Sequence, residues 1–406
     1  MTLSESLAGD MRERNVPLDS PRLGGETDYI STLARLLNGL FMVRDWQNIS
    51  RIVRGQPVNA VLFRGTLLGD AEQVYPQMTE RFKTAGYTPL LERRNGVDMC
   101  IALQGTIAAA PVMTRPWVHG LLLLITILTT TISGAGFMGY FPNVVLRELQ
   151  RGNWTYIGKT LAAGFPFAFT LLLILGVHEM GHYLAARRHG VIVTLPYFIP
   201  FPFIGILGTL GAVIFIRSPL TNRKALFDVG IAGPLAGFVV ALIAFIIGLL
   251  SEQAMSRNML FLNLFGTERI GMPILLNVVQ DIFRPDMVDL ARHVVRQPIA
   301  LAAWFGMLLT VLNLLPIGQL DGGHIMYTLF GRASWTIALL AFGSMLVLGM
   351  TTFPSLIFFA FLVLLTGLRH PPPGNDITPL NPTRRAIGYA TIALFFLIGT
   401  LTPFPL

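Results

Sequence analysis

Cysteine, lysine and charge are all scarce in this chain, and each shortage narrows what it can be. Cys100 is the only cysteine in 406 residues, so no intrachain disulfide can form and no oxidising compartment is implied; a free, inert thiol is expected. Three lysines stand beside 27 arginines, and the resulting net charge of +8 is spread along the chain, which argues for topogenic charge and against a nucleic-acid site. Charged residues make up 13% of the chain and hydrophobic ones 53%, whereas soluble domains carry about 25% charged residues. With a mean hydropathy of +0.60, most of the chain is expected in lipid or packed against spans. Residues 1–25 are polar and lack the apolar stretch of a signal peptide, and they read as a flexible leader.

Long charge-free runs are what the chain has instead. One of them, Thr160–Val177, ends in His178-Glu179-Met180-Gly181-His182. Four residues advance an α-helix by about 400° and about 6 Å, so the two imidazoles leave one face and can share a metal ion. Neutral imidazoles suit Zn²⁺, and a catalytic zinc site keeps a position open for water. Glu179, one residue round the helix, is the candidate general base and later the proton donor to the leaving amine. Ionisable side chains at the end of a span are costly and usually functional.

Two histidines are too few for such a site, so a third ligand must come from elsewhere. The best candidate is Asp321 in Asn313-Leu-Leu-Pro-Ile-Gly-Gln-Leu-Asp-Gly-Gly-His324, the only acidic residue between Pro298 and Tyr327. By itself the same carboxylate could equally cap the helix or turn that follows, given Gly322 and Gly323.

The pair of motifs, HExxH at the end of one span and NxxPxxxLDGG at the end of a later one, resembles the site-2 protease family of intramembrane zinc metalloproteases. A third element, Gly233-Pro234-Leu235-Ala236-Gly237, extends the likeness over most of Trp117–Arg385. The resemblance implies His178, His182 and Asp321 as Zn²⁺ ligands, Glu179 as catalytic acid/base and Asn313 as a contact to substrate or to the developing oxyanion. It also implies a membrane-associated β element between Val191 and Ser218, where Pro196, Pro200, Pro202, Gly205, Gly208 and Gly211 break any helix. Without the resemblance that segment reads equally well as an interfacial loop.

The expected fold is mostly α: a polytopic helical membrane protein of six or seven spans over 116–406, with a small α/β soluble domain over 26–115. In the soluble domain, helices are expected at Tyr29–Phe41 and Ala71–Ala85, and strands at Val58–Arg64, Thr88–Arg93 and Asp98–Leu103. Charge-free stretches suggest spans near 117–140, 161–186, 229–250, 298–317, 333–349, 354–369 and 386–403. Ala333–Leu368 is too long for one crossing and reads as a hairpin, and 251–297 reads as a loop too short for a PDZ insertion. One crossing separates the two motif-bearing spans, so these must run parallel. Arg187, Arg188, Arg223, Lys224, Arg332, Arg384 and Arg385 fall on the side of the motifs, which favours a cytoplasmic-facing site, here expected in the cell membrane. His324 is expected beside the site, and His119 and His370 need no chemistry. The expected activity is hydrolysis of peptide bonds in single-span membrane proteins, after an earlier cleavage by another protease. The alternative is a zinc-binding transporter or metal-handling protein. Expected partners are a transmembrane substrate and the bilayer, with no nucleic acid.

Overall fold

Alternating apolar residues build the N-terminal part around a four-stranded antiparallel sheet. Its strands are β1 (Phe41–Val53), β2 (Gln56–Leu67), β3 (Tyr87–Arg94) and β4 (Val97–Gln104), in the order β1-β2-β4-β3. Asn95 and Gly96, both at positive φ, close the β3–β4 hairpin, the backbone that an Asn-Gly turn favours. Val61, Phe63, Cys100 and Ala102 face helices α1 (Glu26–Leu36) and α2 (Ala71–Thr84), burying Leu33, Met78 and Phe82. The intervening Ala60, Leu62, Met99 and Ile101 form a second buried cluster on the other face. Cys100 is fully buried, as an inert thiol should be, and burial pushes its pKa up. The first helix ends at Leu36 instead of reaching Phe41, and β1 is an addition to the expected elements.

The computed structural model describes residues 26–53, 56–105, 115–201, 207–252, 254, 258, 263, 270–351, 355–400 and 403; the expected leader lies outside them. After the sheet come α3 (Pro116–Phe137), α4 (Pro142–Gln150), α5 (Trp154–Arg188), the strands β5 (Tyr197–Pro200) and β6 (Thr209–Val213), and α6 (Arg223–Leu250). Then follow α7 (Ile274–Phe283), α8 (Leu290–Arg296), α9 (Pro298–Asn313), α10 (Asp321–Phe330), α11 (Ser334–Thr351), α12 (Ser355–Thr366) and α13 (Pro382–Ile398).

Among the described residues, four stretches are long and apolar enough to cross a membrane: α3, α5, α6 and the Asp321–Thr351 run. The pair α8 and α9, bent by 105°, makes a fifth if it is one span. That is fewer than the expected six or seven. The difference arises because charge-free runs are longer than the helices inside them. The 16, 12 and 17 residues of α9, α12 and α13 reach only about 18–26 Å, short of about 30 Å of hydrocarbon. The expected hairpin is present, with Ala338 and Met345 packed on Ala360 and Val363 and Gly349 close to Ile357. The stretch after α6 is more than a loop. Ile270, Leu276, Val279, Leu290 and Val294 join Phe245, Trp304 and Phe305 in the largest buried cluster.

Close crossings set the helix directions. Gly181 of α5 meets the backbone of Ala232 and Gly233 on α6, and Gly306 of α9 meets Ile174 of α5. Asn313 of α9 lies beside His178 further along α5, so α5 and α9 run parallel, as the two motifs require. At one end of the bundle Arg384 makes a two-pronged ion pair with Asp228 (2.8 and 2.6 Å), which also holds His189 at 2.8 Å. This ties together the end of α5 and the beginnings of α6 and α13.

Candidate metal centre

The motif helix α5 is capped by Asn153, which accepts from the Tyr156 amide, and it ends in Arg187 and Arg188, whose charges suit the C-terminal dipole. His182 lies six residues before Arg188, about 9 Å below the helix end at helical rise. His178, Glu179 and His182 are all buried.

Asp321 joins them from another direction. A tight turn after α9 brings the chain back, with Gly318 at φ 54° and Gly322 packed on the Leu314 carbonyl. Asp321 is the first residue of α10, and the cap position falls on Leu320, so the carboxylate is not spent as a helix cap. It points instead at both histidines: Asp321 Oδ2 is 3.3 Å from His178 Nε2 and 3.3 Å from His182 Nε2, and the two Nε2 atoms are 3.1 Å apart. Ligands at about 2.0–2.1 Å in a tetrahedron stand about 3.3 Å from one another, so this triangle fits a zinc ion. His182 Nδ1 lies 2.6 Å from the Val229 carbonyl, which can only accept, so Nδ1 carries the proton and Nε2 is left with a free lone pair. Among the described residues this is the one group of three or more such side chains able to hold a metal ion.

The glycines of the third motif are placed against these rings. A Cβ on Gly233 would fall on the His182 imidazole, and one on Gly237 would crowd the His178 ring. Gly230, on the same face of α6, lies against His324. Asn313 Nδ2 is 3.4 Å from His178 Nε2 at the end of α9. The Glu179 carboxylate lies by the backbone amide of Ile214, just past β6.

Residues 166–350 match the model of peptidase family M50. This is the site-2 protease family that the motifs resemble. Curated relatives agree. The chain is 30% identical over 261 residues to "Probable zinc metalloprotease EGY2, chloroplastic" of Arabidopsis thaliana, covering 61% of this chain and 43% of that protein. It is 27% identical to "Probable zinc metalloprotease EGY1, chloroplastic" of Oryza sativa subsp. japonica, covering 84% of this chain and 62% of that protein. The chain thus spans less than two thirds of the length of these relatives. Their names place them in chloroplasts, which lends no support to the cell membrane expected above. No solved structure matches the chain.

Around this site the β element is present as an antiparallel β5–β6 pair, extended by a Val193–Ile216 bridge. It is anchored on α3, where Thr129 Oγ1 donates to the Gly208 carbonyl (2.7 Å) and His119 Nδ1 sits 3.1 Å from the Pro196 carbonyl. His370 Nε2 is 2.5 Å from His324 Nδ1, and its ring stacks on Tyr327, whose hydroxyl donates to Asp376 (2.9 Å). Burial pushes the Asp376 carboxyl up to about 6 against the opposing pull of Arg223.

A strap over 370–376 joins the helical region to the N-terminal sheet. Leu91 of β3 donates to the Gly374 carbonyl (2.8 Å) and accepts from Asp376 (2.9 Å), while Gly374 and Asn375 donate to Leu220 and Thr221. Lys224 pairs with Glu72 of α2 at 2.6 Å. Beneath this joint lies a cavity of about 1350 Å³ that reaches from α2 and the strap down to His178, Glu179, His182 and Asp321. The apolar patterning that revealed the spans gave no sign of this enclosure, because it is assembled from segments about 300 residues apart in the chain.

Proposed function

We propose that this chain is an intramembrane zinc metalloprotease that hydrolyses peptide bonds in the transmembrane segments of other proteins. The observation that carries the reading is the convergence of His178, His182 and Asp321 to within 3.3 Å, on helices that can cross a membrane, with Glu179 next to His178. His178, His182 and Asp321 would hold the zinc ion. Bound there, it would polarise a carbonyl and make water more acidic. Glu179 takes the proton from the attacking water and returns it to the leaving amide nitrogen. Asn313 donates its amide to the oxygen of the scissile carbonyl as charge builds there.

A helical substrate hides its carbonyls in backbone hydrogen bonds and must unwind first. The free edge of the β5–β6 pair would replace those bonds by strand addition. Its neighbour Ile214 lies by Glu179, so a strand laid on this edge passes the base. The substrates of this reading are single-span proteins already shortened by another protease. The site opens toward the end of the bundle where Arg187, Arg223 and Arg384 gather, which the positive-inside rule assigns to the cytoplasm. The test is zinc stoichiometry beside cleavage of a helical single-span reporter in detergent, for wild type and Glu179→Gln. Zinc should stay bound while cleavage falls by about 10²–10⁴-fold. Undiminished cleavage by the variant would overturn the mechanism.

A further inference from the structure

The cavity above the metal centre is larger than that site needs. Small-molecule pockets occupy about 300–1,000 Å³, whereas this one holds about 1350 Å³ and has one wall in the soluble domain, formed by α2 and β3. Three ordinary ion-forming side chains line its outer part: Glu72, Lys83 and Arg217. Glu72 is engaged by Lys224 at 2.6 Å. Among the described residues, neither Lys83 nor Arg217 has a carboxylate partner. The Arg217 guanidinium packs over the Phe215 ring at 5.7 Å, and its Nε is buried without a hydrogen-bond acceptor.

A buried guanidinium donor left unpaired is uncommon, because leaving it so costs the full desolvation of that N–H. A carboxylate entering the cavity that Arg217 lines would supply that acceptor. Arginine favours planar carboxylates, which it binds with two parallel hydrogen bonds. Lys83, exposed on the last turn of α2, adds a second cation on the opposite, soluble-domain wall. We infer that Arg217 and Lys83 form a specificity site for an acidic stretch of the substrate's extramembrane polypeptide, continuous with the transmembrane segment being cut. This rests on the protease reading above and adds the chemistry by which substrates are chosen. Carboxylates there would also set the register in which the unwound segment lies on the β5–β6 edge.

The experiment compares two single-span reporters, identical except that the ten or so residues flanking the span on the site side are acidic in one and basic in the other. Wild type, Arg217→Glu and Lys83→Glu are assayed in detergent, reading kcat/KM for each pair. Wild type should favour the acidic reporter by about tenfold, the scale of a charge-assisted hydrogen bond. Arg217→Glu should reverse the preference, and Lys83→Glu should reduce it by about threefold, the scale of an exposed ion pair. A damaged fold would instead lower both reporters together, and Lys83→Glu, on an exposed helix face, guards against that outcome. Equal cleavage of both reporters by wild type, or an unchanged ratio in both variants, would overturn the inference while leaving the protease reading intact. Cleavage of neither reporter by wild type would overturn both.

Discussion

Gly233 of α6 lies so close to His182 of α5 that any side chain on the glycine would occupy the space of the imidazole. The helix that flanks the metal site therefore has to be smooth at this one point. Gly233→Ala should raise the intrinsic helix propensity of α6 by about 1 kcal/mol and yet displace His182. The expected outcome is a folded protein that retains little zinc and little activity, read by metal analysis beside circular dichroism. Full zinc content in Gly233→Ala would show that the ring has room to spare.

Asp321 stands 3.3 Å from each histidine nitrogen. Wild-type protein is expected to carry about one Zn²⁺ per chain, and Asp321→Ala or the double change His178→Ala, His182→Ala should remove it together with cleavage. Unchanged metal in Asp321→Ala would sink its role as a ligand.

Asn313 touches the site through an amide, which is a poor ligand for zinc but a good donor to an oxyanion. Asn313→Ala should lower kcat by about 10²–10³-fold, the usual loss for one such donor, with zinc content nearly unchanged. Parallel loss of metal and turnover would mean that Asn313 only holds the turn before Asp321.

Asp376 gives the strap a pH dependence. Its folded carboxyl titrates near 6, above the ordinary 3.8, because burial outweighs Arg223. The stability contributed by its proton is fully present below about 4 and is lost as the pH rises through about 6. Asp376→Asn keeps an acceptor for the Tyr327 hydroxyl and removes the titration. Its thermal midpoint should fall less than that of wild type between pH 5 and pH 7.5, by about 2–4 °C. Identical profiles would exclude Asp376 as the group responsible.

The parts of this fold that were legible in the sequence are those governed by local spacing. The HExxH helix, the parallel course of α5 and α9 and the hairpin after Ala333 follow from periodicity, charge-free length and crossing parity. β1 escaped because Arg44, Asp45, Gln47, Asn48 and Arg51 dilute its apolar signal, as suits a sheet edge paired on one side only. The apolar faces of α7 and α8 were hidden by the charges that run from Asp281 within α7 to Asp289 at the cap of α8. The purpose of Gly233 and Gly237 needed three dimensions, since small residues four apart read as ordinary helix packing until the imidazoles are seen opposite them. Arg217 gave no local signal. Its lack of an acceptor is a property of the folded neighbourhood alone.

β3 is an edge strand of the N-terminal sheet, and its outer side is completed by residues 374–376. Leu91 and Asp376 are 285 positions apart, so at about 5–20 residues per second the ribosome makes the second between roughly a quarter of a minute and a minute after the first. Throughout that interval the segments from α3 to α12 are made while β3 waits with an unpaired backbone rim, the kind of edge that invites another chain. Closure of that rim requires residues 374–376 to reach Leu91 of β3. A chain interrupted before residue 374 would carry both an unroofed candidate metal centre and an unpaired strand edge.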